Sequence, residues 1–339
     1  MKKYFLYELK KNAFAICFLA VFAIAEYTIP LMSQKAEYLK FNNNFAQISF
    51  TAGFIACMVP VWVFNYRMKR RSVDLYFSLP LSHTKILTVK YLIGLIAVFL
   101  PYTLAFWLGS FVIMYKLHGI YNLAYIPALY ACSLLPIFCL YTLVSFIYTR
   151  ANKPVDGLVF VIMWMFAGWL LINFLDRFTG YSSTVFHPEY YTFFSPLSET
   201  TRHFNGLISG GDSFYYNNLP TLSEEINMGI AYSITGLLSV AATAGIFLCE
   251  NHTKAENAGQ ISESLYGYRV LIPLYAFILM SGINFSYPDE IFFVVLLCLG
   301  VYLLSVLYKR TAKIGRIHFI SCVSALAAGL IFSAILSFI

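Results

Sequence analysis

Charge is scarce in this chain. Of 339 residues only 12% are Asp, Glu, Lys or Arg, and acids number just 16. A soluble globular domain carries about 25% charged residues, so the composition excludes that class. Phosphate-loop glycines in the pattern G-x-x-x-x-G-K-[ST] are missing, so the chain does not bind ATP in that way itself. Neither H-E-x-x-H nor G-x-S-x-G occurs, which leaves no zinc-peptidase or hydrolase signature. Charged residues inside the apolar runs are too few for a proton relay. Cysteine is present seven times but never in a polar loop. Cys17, Cys57, Cys132, Cys139, Cys249, Cys298 and Cys322 all fall in apolar runs and read as small buried residues, not a disulfide or zinc framework. A catalytic role, a metal and a cofactor are therefore not expected. A nucleic-acid partner is not expected either, because the net charge of +7 is placed as a topology signal.

What is abundant is apolar sequence, 60% of the chain, with 18% aromatic. Runs near 20 residues recur along its length, and about 20 apolar residues cross a bilayer as a helix. The expected fold class is all-α, a polytopic transmembrane helical protein. Residues 1–12 carry Met1, Phe5 and Leu9 at helical spacing among lysines, which suits a helix on the inner membrane surface. Residues 13–66 hold spans one and two, 67–90 a polar loop, and 91–175 spans three to five. A large polar segment, 176–227, precedes span six at 228–249. A loop at 250–269 leads to further spans within 270–339. Ala23-Ile24-Ala25 imitates a cleavage site, but the preceding region contains Glu8 and apolar sequence resumes at Thr28, so span one is expected to be retained.

Alternating the segments from a cytoplasmic N-terminus gives a test. The inner segments hold 18 of the 23 Lys and Arg, and the outer ones only Lys35, Lys40, Lys116, Arg177 and Arg202. Positive charge collects in cytoplasmic loops, so a multi-pass cell-membrane protein with its N-terminus inside is expected. Nine spans leave the C-terminus outside on Leu336-Ser337-Phe338-Ile339 with no flanking charge, as if the last run were incomplete, half-inserted or cut from a longer protein.

The segment 67–90, RMKRRSVDLYFSLPLSHTKILTVK, holds six basic residues and one acid, Asp74. Pro80 ends any helix begun near Ser72, and Ser82 suits the cap of the next. Such a loop fits a docking surface for a cytoplasmic partner as well as a solvated loop that sets topology. Glu26 lies within span one, where an acid is costly and marks a functional candidate; a position near the outer end equally lets it reach interfacial water. Ser195-Pro196 opens a short helix with an apolar stripe at Leu197, Thr200, Thr201, Phe204, Leu207 and Ile208. His187, Glu189 and His203 share that outer segment without ligand spacing, so no metal is assigned.

Three local patterns resemble the membrane permease subunits of type-2 ABC transporters. Asp74 followed by Ser78-Leu79-Pro80-Leu81-Ser82 and then Lys85 and Lys90-Tyr91 is similar to that family's loop before its third span. Ser195-Pro196-Leu197 resembles the step before its outer helices. Lys254-Ala255-Glu256-Asn257-Ala258-Gly259 resembles the stretch that closes its six-span unit. The likeness covers about residues 1–260, with two to three C-terminal spans beyond that unit; His83 stands where a basic residue is usual. The resemblance implies a non-catalytic permease of an exporter for a lipidic, peptide or drug-like substrate. It implies a separate ATP-binding subunit docked through Asp74, Tyr76, Leu79, Pro80 and His83, a second permease copy or paralogue, and a lipid bilayer. A stand-alone secondary transporter or channel, or a membrane sensor using the same loop, is the alternative.

Overall fold

The computed structural model describes residues 2–35, 39, 45–78, 80–116, 124–179, 194–209, 222–252, 255–260, 262, 264–283, 290–309 and 315–338. Among these residues the regular structure is helical throughout. Seven helices are long and apolar enough to cross a membrane, and the chain is an all-α multi-pass membrane protein. Two compact units divide it. The first takes residues 1–66, 74–146 and 184–253, the second 67–73, 147–183 and 254–339.

In the first unit, α1 (Lys2–Ser33) runs without a break from the lysine-rich start to the end of span one. The separate surface helix expected at 1–12 is thus the overhang of a longer helix. The reason is local: no glycine or proline interrupts residues 2–29, and propagation costs less than a new nucleus. A helix of 32 residues is about 48 Å long, against a hydrocarbon core of about 30 Å, so the turns before Ala13 project from the apolar stretch.

Helix α2 (Ala46–Phe64) is followed by a single 3-10 turn at Asn65–Arg67 and the short α3 (Arg70–Phe77), of which residues 74–77 belong to this unit and 70–73 to the second. Then comes α4 (His83–Lys116), 34 residues long and equally overhanging. Helix α5 (Tyr125–Tyr148) lies along α4: Tyr141 donates to the Tyr91 carbonyl at 2.9 Å, and Thr103 meets Tyr130 at 2.8 Å. The pairing of early α4 with late α5 makes them antiparallel. Helix α7 (Ser195–Ser209) and helix α8 (Leu222–Leu248) complete this unit.

Helices α1 and α4 are parallel, and three contacts hold them in one register. Lys90 pairs with Glu8, a Cβ on Gly109 would lie 2.2 Å from the Tyr27 ring, and Lys116 donates to the Gln34 carbonyl at 2.6 Å. Each pair is separated by 82 residues. Lys116 also reaches the carbonyls of Leu31 (2.9 Å) and Met32 (2.7 Å). An ammonium there satisfies carbonyls that the end of α1 leaves without intrahelical donors and meets the negative end of its dipole.

The second unit is built around α6 (Pro154–Thr179), α9 (Tyr268–Ser281), α10 (Glu290–Lys309) and α11 (Arg316–Phe338). Proline in the first turn of α6 removes only an N–H that the helix start leaves unpaired. Asp156 in that turn accepts from the Ser262 hydroxyl at 2.8 Å, which itself accepts from the Asn152 N–H at 2.8 Å. Gly259 adopts φ 77° and donates its N–H to the Asn152 carbonyl at 2.8 Å. Only glycine holds that left-handed backbone without a steric cost, which gives the terminal residue of the Ala255–Gly259 pattern a structural reason. Helices α9 and α10 carry apolar stretches of 14 and 17 residues at Tyr268–Ser281 and Phe292–Tyr308, shorter than the seven long spans. Nine apolar helices were expected as spans; among the described residues seven are long spans and these two are shorter apolar helices.

Candidate functional site

The 67–90 segment folds as two helical pieces with a break between them. Helix α3 ends with the Ser78 N–H donating to the Asp74 carbonyl. Proline cannot supply the next donor, and Pro80 stands in a bend. The Ser82 carbonyl then accepts from Lys85 and Ile86, which starts α4. The second piece is therefore not a separate short helix but the first turns of a 34-residue rod.

Helix α3 is two-faced. Val73 and Tyr76, one turn apart, are buried. Asp74, Leu75 and Ser78 are exposed, and Pro80, Ser82, His83, Thr84 and Lys85 continue that outward surface. Leu75 is an apolar side chain left 64% exposed among polar neighbours.

The inward face closes on a polar cluster. Glu8 is fully covered and Lys90 nearly so, and their charged groups meet at 2.7 Å. Lys90 also donates to the Tyr76 hydroxyl at 3.2 Å, and that hydroxyl donates to Glu8 Oε1 at 3.2 Å. Tyr4 donates to the same carboxylate at 3.1 Å, Asn12 to its other oxygen at 3.3 Å, and Lys11 reaches the Tyr76 hydroxyl at 3.1 Å. The Lys90 ammonium further lies 4.8 Å from the Tyr76 ring centre and 5.3 Å from that of Tyr66, a favourable cation–π placement. A buried charge is tolerated only when paired and hydrogen-bonded, and here both charges are.

The electrostatics follow from this geometry. Burial pushes the Glu8 carboxyl up, but the hydrogen bond and charge of Lys90, with the Lys11 charge and Tyr4, outweigh it and hold it below the ordinary value. Burial, then the Glu8 charge, raises the Tyr4 phenol. The hydrogen bond to Tyr76 raises the Lys11 ammonium. All three groups lie in the overhang of α1, outside the apolar stretch. The arrangement is a fixed charge pair that ties α3 to the starts of both α1 and α4, with one face of α3 left open.

The sequence-derived residues divide accordingly. Asp74, Pro80 and His83 are on the exposed surface, and Leu79 lies outside the described residues. Tyr76 is turned inward, against its expected place in a docking face, because its phenol bridges Glu8 and two lysines. Glu26 has an exposed side chain on α1, remote in sequence from the cluster, and its backbone carbonyl accepts from Gln47 at 2.5 Å. Of the outer trio, His187 and Glu189 lie outside the described residues. Among the described residues no group of three His, Cys, Asp or Glu could hold a metal. Sequence reasoning missed Glu8 and Lys90 as a pair. The available signal was that each is a charge beside an apolar run on a helix too long for its membrane span.

At the opposite end of the same unit, α7 packs on the start of α2 and on α8. Ser49 meets Thr201 at 3.0 Å, and Thr200 meets the Tyr232 hydroxyl at 2.5 Å. Leu197, Thr200, Thr201 and Ile208 of the expected stripe are buried, Phe204 and Leu207 partly so. No protein-family model, no curated protein and no solved structure matches the chain.

Proposed function

We propose that this chain is the permease subunit of an ATP-driven transporter, with a separate ATP-binding subunit seated on the outward face of α3 and the turn at Pro80. One observation carries the reading. A short helix between two long ones keeps an exposed face of Asp74, Leu75 and Ser78, while its inner face is fastened by Tyr76 to a buried ion pair joining α1 and α4. A docked partner that moved α3 would therefore move the ends of two membrane helices. That is the form a nucleotide-driven switch needs: a partner with different affinity for two arrangements of one element. With no phosphate loop of its own in the sequence, the chain takes its energy from that partner. In this reading the N-terminus and the 67–90 segment face the cytoplasm of a bacterial cell, a second copy or paralogue completes the pathway, and the cargo is exported and lipidic, peptide or drug-like.

The partner's contacts are Asp74, Pro80 and His83, with Leu79 between them in sequence, whereas Tyr76 acts from behind by holding α3 in place. The test is co-purification from the native host in mild detergent, comparing wild type with Leu79→Ala/Pro80→Ala and with Asp74→Lys. An ATPase that accompanies the wild type and is lost with both variants supports the reading. Its absence from a folded wild-type preparation refutes it and favours a secondary transporter or sensor.

A further inference from the structure

A cavity of about 490 Å³ opens beside α2 beneath α7, within the 300–1,000 Å³ usual for small-ligand sites. Its two walls differ in chemistry. Helix α2 contributes Ala46, Ser49, Phe50, Phe54 and Cys57. Those positions recur at helical spacing and form one stripe about 16 Å long. Phe50 and Phe54 are 77% and 43% exposed, and α2 belongs to the membrane-spanning helices, so this wall opens towards acyl chains. Helix α7 contributes Leu197, then Ser198, Glu199, Thr201 and Arg202, with Phe194 just before its start. Glu199 and Arg202 are paired at 3.4 Å, with 14% and 31% of their side chains exposed.

The polar and charged groups all belong to α7 or to the first turn of α2, and the apolar stripe runs away from them. A ligand that satisfies both parts has a head bearing both signs of charge and a long apolar tail. A purely anionic head would meet Glu199, a purely cationic one Arg202. We propose that this cavity is a phospholipid site: one acyl chain lies along Phe50, Phe54 and Cys57. The phosphate of a zwitterionic headgroup faces Arg202, and its ammonium faces Glu199. The membrane itself supplies the ligand, so the site stands whether or not an ATP-binding subunit docks at the other end of the unit. A failed co-purification leaves the following test intact.

The full chain is delipidated in detergent and titrated with phosphatidylethanolamine or phosphatidylglycerol of identical acyl chains, and bound lipid is counted by native mass spectrometry. Wild type is expected to retain one phosphatidylethanolamine about fivefold more tightly than phosphatidylglycerol. Ala46→Trp and Ser198→Trp, which plug the cavity, abolish that adduct while the melting temperature is kept. Glu199→Gln keeps the apolar walls and removes the preference between the headgroups, and it decides the matter if the plugged variants fail to fold. Equal retention of the two lipids by wild type, an adduct that survives plugging in a folded variant, or an unchanged preference in Glu199→Gln overturns the proposal.

Discussion

Removing the ammonium from the Glu8–Lys90 pair should release α3 before it unfolds anything else. In Lys90→Met the Glu8 carboxylate keeps Tyr4, Tyr76 and Asn12 as donors but loses its closest cation, at 2.7 Å. Breaking a fully buried pair costs about 3–5 kcal/mol. The lower end applies, about 3 kcal/mol, because three hydrogen bonds remain and the pair lies at the overhanging ends of two helices rather than mid-bundle. At 1.4 kcal/mol per factor of ten, that raises the open population of α3 about 100-fold. Arg67, Lys69, Arg70 and Arg71 make this region a trypsin substrate once it opens, and cleavage follows the open population when reclosing is fast. Trypsin digestion of the chain in lipid nanodiscs, followed by mass spectrometry of cuts at 67–71, gives the rate. The cycle is completed with Glu8→Leu and with Glu8→Leu/Lys90→Met. The double variant should cleave more slowly than Lys90→Met alone, because the stranded charge is gone. Single variants that change cleavage less than threefold, or a double variant whose effect is the product of the singles, would refute the coupling.

Three further outcomes follow from other contacts. The Glu8 carboxyl is held below its ordinary value in the folded chain, so its stabilisation is present above the usual carboxylate range near pH 4.3 and is lost as pH falls through the lowered folded value. Protection of the α3 amides from hydrogen exchange, corrected for intrinsic rate, should be flat from pH 8 to pH 5; a loss of protection as pH falls within that window contradicts the assignment. Gly109→Ala places a Cβ 2.2 Å from the Tyr27 ring, an overpacking worth about 1–3 kcal/mol, and thermal melting should fall and recover when Tyr27→Leu is added. Gly259→Ala forces a left-handed alanine at φ 77°, costing about 1–2 kcal/mol, and amide exchange at residue 259 should accelerate while that of α1 stays unchanged.

The spans and the break at Pro80 were legible because apolar run length and proline chemistry act within a few residues. Ser82 and Ser195-Pro196 were equally local signals, and both stand at helix starts, although the Phe194 carbonyl accepts the first bonds of α7. The continuity of α1 was obscured by its own amphipathic beginning: lysines beside Phe5 and Leu9 imitate a surface helix, and only length reveals an overhang. The Glu8–Lys90 pair was beyond local reading, since the partners are 82 residues apart and each alone suits a solvated helix face. Tyr76 was misplaced for the same reason. An aromatic on an amphipathic helix has no preferred side until the buried charges that it bridges are known.

The constant offset of 82 residues between α1 and α4 makes these two helices behave as a pair of rods doweled at both ends. One dowel is an ion pair, the other a lysine seated on a helix terminus, and a glycine notch sits between them. Sliding one rod along the other by a single turn would undo all three at once. A force applied at α3 therefore has no slip available to absorb it, and the motion left to the pair is a common tilt. Displacement at one face of the membrane then arrives at the other as leverage, with its reach set by rod length rather than by the flexibility of the chain between them.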